Sequence, residues 1–120
     1  MGTAGRLTEP VIAFCATEHE EPALRVRVNF GVFSGRQATP AEIDTLARAL
    51  HGHVASFTIV AEERHEFAGD VEAAIHQIVI EVEHAYAGYD VDELCDRIVA
   101  LADRWASDCF ADRHSNVAEF

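Results

Sequence analysis

The sequence predicts a small α+β protein, with two helices on one face of a mostly antiparallel sheet in the order (β)βαββα. Three patterns carry this prediction. Residues alternate between apolar and polar through Val54–His65 and again through Ile75–His84, the signature of a long antiparallel hairpin. Leu24, Val26, Val28, Phe30 and Val32 alternate in the same way with Arg25, Arg27 and Asn29. Two further stretches switch to helical spacing, each opened by the residues of a capping box.

Taken in order, residues 1–9 read as a loose tail, 10–111 as a single domain and 112–120 as a second tail. Val11–Ala16 is a short apolar run suited to an edge strand. Glu18–Pro22 is acidic, ends in proline and reads as a turn. The alternation over Leu24–Phe33 is a strand, broken by Ser34-Gly35. Thr39, Pro40 and Glu42 then supply an N-cap, a first-position proline and the return half of a capping box. Ile43, Leu46, Ala47 and Leu50 form the buried stripe of that helix, and Gly52 is placed to end it in the left-handed region.

Ala68-Gly69-Asp70-Val71 is the expected turn of the hairpin. With Gly69 and Asp70 at its centre, Ile59 faces Ile80, Phe57 faces Val82 and Val60 faces Val79. This register sets apolar against apolar on the core face. Asp90 and Glu93 open the last helix, with Tyr89 and Leu94 placed as a hydrophobic staple. Val91, Leu94, Cys95, Ile98, Ala102, Trp105 and Cys109 make its buried stripe, and this makes Trp105 a core anchor. A right-handed crossover would set the strand at Leu24 parallel to the strand at Val54. The arrangement resembles an open-faced sandwich of ferredoxin-like type, with the N-terminal run in place of the usual last strand. Such an architecture hosts many functions and implies none of them.

Composition excludes several classes. A net charge of −12 argues against a nucleic-acid partner and against docking on anionic lipid. No run of residues is long enough to span a membrane. All nine basic residues are arginine, so lysine-based Schiff-base, pyridoxal or Walker-A chemistry is impossible. Cys15, Cys95 and Cys109 are odd in number, far apart and without a Cys-x-x-Cys pair. They favour a reducing compartment. Val11–Ala16 is too short for the core of a signal peptide, so the expected location is cytoplasmic. No serine sits in a nucleophile elbow, and no motif calls for a cofactor.

Three groups of residues remain as candidate sites. Glu63, His65 and His76 share one side of the hairpin where its apolar face runs out, and two imidazoles with a carboxylate are a legitimate metal set. Ser34, Gly35 and Arg36 lead into a helix N-terminus and could hold a small anionic ligand, although Pro40 lacks an N–H and Glu42 repels anions. Arg27, Val60, Glu62, Val79 and Glu81 lie on the sheet face away from the helices, an apolar centre ringed by opposite charges that suits a homodimer interface. His53 and His84 share the core-side parity near Tyr86, a weaker setting for proton transfer. The acids of the last helix answer its dipole. The expectation is therefore a protein that works by association, as a homodimer or by binding a partner or small ligand on its open sheet face. The alternative is a small enzyme or metal-binding protein with a histidine/carboxylate site at the strand ends or at a subunit junction.

Overall fold

A computed structural model describes residues 11–17 and 19–118, of which 112–118 are described as backbone alone. The expected N-terminal tail, residues 1–9, lies outside the described residues. The chain is a small α+β protein built on a four-stranded antiparallel sheet. The strands are β1 (Ala13–Thr17), β2 (Leu24–Val28), β3 (Thr58–Ala68) and β4 (Val71–Val82), in the spatial order β1-β2-β4-β3. Because β2 and β3 both run antiparallel to β4, they lie parallel to each other with β4 between them. The helices are α1 (Phe30–Ser34), α2 (Pro40–Leu50), α3 (His84–Ala87) and α4 (Val91–Ala118). No helix among the described residues is long and apolar enough to cross a membrane.

The hairpin register is the one that apolar matching selects. Ile59 pairs with Ile80, Val60 with Val79 and Glu63 with His76. Gly69 adopts the positive φ of 62° that the two-residue turn demands. On one sheet face Leu24, Val26 and Val28 of β2 and Ile78, Ile80 and Val82 of β4 are buried. Leu46 and Leu50 of α2 join them in a single core with Leu94, Cys95, Ile98, Ala102, Trp105, Ala106 and Cys109 of α4. The helical spacing in the sequence and the buried stripe therefore coincide.

The α2 capping box is complete. Glu42 N–H donates to Thr39 Oγ1 at 3.2 Å, and Thr39 N–H donates to Glu42 Oε1 at 2.9 Å. Asp90 accepts from Glu93 N–H at 3.0 Å and opens α4.

Four expectations need correction. The alternation over Leu24–Phe33 is strand only to Val28, and Phe30–Ser34 turns into α1. Tertiary packing overrides the local pattern there: Phe30 is buried with its ring 5.3 Å from those of Trp105 and Phe110. Gly31 lets α1 approach β4, since a Cβ at that position would lie 2.9 Å from His76 N, O and Cβ. Gly52 is not left-handed; α2 ends on His51 with φ −59°, and the chain leaves through a tight turn on the Leu50 carbonyl. Tyr89 is fully exposed and makes no staple with the buried Leu94.

The last correction is covalent. Cys15 of β1 and Cys95 of α4, 80 residues apart in sequence, form a disulfide. Separation along the chain says nothing about separation across a sheet–helix interface, so sequence spacing could not show this pair. Cys109 is buried in the core near the other end of α4.

Candidate functional site

Of the polar residues that sequence reasoning singled out, Glu63 and His76 face each other at one end of the sheet, where β2 stops and the hairpin continues, while Glu81 and His84 lie toward the other end. β2 covers β4 only from Ile78 to Val82. Beyond that point α1 and the segment after it flank β4, leaving a cavity of about 210 Å³. Phe30, Ala38, Ala61 and Ile78 give the cavity its apolar lining, and Gln37, Glu63, His76 and Gln77 its polar lining.

On the open face, Arg27 Nη1 donates to Glu62 Oε1 at 3.0 Å and Arg25 Nε to Glu81 Oε2 at 3.1 Å. Since β4 separates β2 from β3, the Arg27–Glu62 pair must reach across β4. It passes between Val79, which is opposite Arg27, and Gln77, which is opposite Glu62. This accounts for Val79 being only 2% exposed on a face that carries no helix of the core. Of the five residues expected at an interface, Arg27 and Glu62 pair with each other and Glu81 pairs with Arg25; Val60 keeps 36% of its surface exposed.

Gln77 is the buried polar residue of this region and is held from two sides. It donates through Nε2 to Asn29 Oδ1 at 2.6 Å and accepts from Arg64 Nη1 at 3.2 Å. Asn29 in turn donates to the Val11 carbonyl at 2.9 Å, linking the cluster to the chain just before β1. Sequence reasoning missed Asn29 and Gln77 as a pair. Their only signal was two amides in otherwise regular alternation.

The metal set is not assembled. Glu63 and His65 approach to 3.8 Å, but His65 Nδ1 lies 2.8 Å from Glu72 Oε2, and His76 Nδ1 lies 3.3 Å from Gln37 Nε2. Among the described residues no three His, Cys, Asp or Glu side chains come together as a metal group. His84 turns to Glu21, which accepts from its backbone N–H at 3.0 Å and faces its Nδ1 at 3.1 Å. That contact, the backbone hydrogen bond foremost, holds the Glu21 carboxyl below its ordinary pKa.

Arg36 is committed to Glu42. Its Nη1 and Nη2 donate to the two carboxylate oxygens, each at 2.8 Å, and its guanidinium carbon sits 5.2 Å from the Phe30 ring centroid. Ser34 Oγ donates to the Phe30 carbonyl at 2.7 Å and accepts from Arg36 N–H at 3.2 Å. An anion at Ser34, Gly35 and Arg36 would have to displace a bidentate carboxylate.

Hydrogen bonding from Arg36, reinforced by the Thr39 backbone N–H and opposed by burial, lowers the Glu42 pKa from 4.5 to about 2. A depressed carboxylate pKa favours the fold above the ordinary value and loses that contribution as the pH falls through the folded one. Stability is therefore expected to decline between about pH 4.5 and 2. Glu42→Gln should flatten that part of the profile, as read by urea denaturation at stepped pH. An unchanged slope would show that other carboxylates dominate acid unfolding.

Comparison with protein-family models, with curated proteins and with solved structures gives no match.

Proposed function

We propose that this chain is an association domain that forms a homodimer, using the open sheet face and the β3 strand that borders it. The observation that carries this reading is the distal half of the hairpin. Every residue from Glu63 to Ala74 is exposed, with Phe67 at 71% and Val71 at 66%. Two strands standing clear of a core are marginal in water, and large apolar side chains on them gain by being covered. Val71 lies on the open face, where Phe14 and Val60 share one cross-strand row with Arg27 and Val79; Phe67, of the same parity as Ile59, lies on the other face. The architecture is proposed to be of ferredoxin-like type, with β1 standing in for the usual last strand; the parallel relation of β2 and β3 supports it.

A cytoplasmic location belongs to this proposal, and the Cys15–Cys95 bridge weighs against it, because an oxidising compartment is where such bridges form and persist.

Light scattering on the wild type should report two chains per particle; one chain per particle would overturn the reading. Val60→Glu then assigns the surface. Loss of the dimer places the contact on the open face, and a dimer that persists places it on the β3 border.

A second reading draws on the cavity beside Glu63 and His76. It is a small enzyme or metal-binding protein with its site at the strand ends, completed by repacking of His65. Zinc would then raise the melting temperature, and His76→Ala would abolish the rise. A melting temperature unchanged by zinc in the wild type removes this reading.

A further inference from the structure

We propose that two copies of the chain join edge to edge through β3, antiparallel, in the register that sets His65 opposite the partner's His65. The inference rests on the homodimer reading above and names the surface and the alignment that would make the dimer.

β3 is an edge strand of eleven residues, paired on one side only. Its ladder with β4 is unbroken from Thr58 to Ala68, so no bulge twists the edge away. It contains no proline and no lysine. These are devices by which proteins deter edge pairing, and β3 lacks all three. Among the described residues, β4 is the only strand whose backbone pairs with it. The opposite edge, β1, is five residues long and tied to α4 by the disulfide.

Charges also deter edge pairing, and β3 carries Glu62, Glu63, Arg64 and Glu66. Their order decides which alignments survive. In a two-fold antiparallel pair, residues facing each other lie on the same face of the sheet, so the axis falls on a residue. An axis on Glu62, Glu63 or Glu66 opposes that carboxylate to itself. An axis on Arg64 opposes two guanidiniums and sets Glu62 against the partner's Glu66. Registers centred nearer either end overlap less and form no opposite-charge pair.

An axis on His65 opposes no like charges while histidine is neutral. It places Arg64 opposite the partner's Glu66, twice by symmetry. Within one chain Arg64 Nη2 already lies 3.8 Å from Glu66 Oε2, so the two-fold would close a ring of four alternating charges. The ring is neutral and local, and this matters in a chain of net charge −12, whose long-range repulsion salt screens over about 8 Å at physiological ionic strength. His65 is drawn to Glu72 on the neighbouring strand of its own hairpin.

The test is cross-linking together with charge reversal. Residues opposite each other in an antiparallel ladder have Cα atoms about 4.5–5.5 Å apart, within disulfide range. His65→Cys should therefore oxidise to a covalent dimer, and Glu63→Cys should not. Arg64→Glu should weaken association by about tenfold or more, since two attractive pairs become repulsive. The reversed pair Arg64→Glu with Glu66→Arg should restore it. A wild-type dimer in which Glu63→Cys cross-links, or neither cysteine does, overturns this register and leaves the homodimer reading standing. A monomeric wild type overturns both.

Discussion

Trp105→Ala is expected to cost about 3–5 kcal/mol of stability, the range for deleting a large buried aromatic. The side chain is 6% exposed and ties three elements together. Its ring lies 5.3 Å from that of Phe30 in α1, and its Nε1–H donates to the Glu42 carbonyl of α2 at 2.8 Å. Truncation opens a cavity where α4 meets α1 and α2 and removes that hydrogen bond. Trp105→Phe keeps most of the volume and loses the hydrogen bond, so it should cost less, with about 1 kcal/mol coming from the bond itself. Urea denaturation measures both. A loss below about 1 kcal/mol for the alanine variant, typical of a neutral surface site, would show that α4 faces the sheet differently.

Removing the Cys15–Cys95 bridge should have an effect of similar size. The two cysteines are 80 residues apart, and chain entropy for a loop of that length predicts about 4 kcal/mol. The Cys15→Ala/Cys95→Ala variant should therefore unfold at markedly lower denaturant, and reductant should bring the wild type to a similar midpoint. Reductant should leave the variant unmoved. Thiol titration of the unfolded, unreduced wild type should find one reactive cysteine. Three reactive thiols, or a variant as stable as the wild type, would show that the bridge does not form.

Much of the hairpin was legible because a two-residue period and a turn signal are cleanly written into it. Ile59, Val60, Ile78, Val79 and Ile80 could be set in register from alternation and turn chemistry alone, and that is their pairing. The α4 stripe was legible from its helical period, with burial falling on Leu94, Cys95, Ile98, Ala102, Trp105 and Cys109. Phe30 and Val32 misled because alternation is a local signal. Nothing nearby in the chain announces that Gly31 will lie against the His76 backbone or that Phe30 will enter the core beside Trp105.

The candidate site was legible as a set of residues and illegible as an arrangement. Glu63 and His76 do face each other across the hairpin and line one cavity. His65 is drawn off to Glu72, and Arg36 is closed by Glu42. Local sequence determined the hairpin, the two long helices, their N-caps and which face of each is apolar, because those depend on neighbours within a turn or a pleat. The tertiary structure alone decided that Arg27 would cross β4 to Glu62, that Gln77 would be buried with Asn29 and Arg64 as its partners, and that Cys15 would meet Cys95. Each of these contacts joins residues far apart in the chain, and no periodicity carries information about which distant groups packing will bring within bonding range.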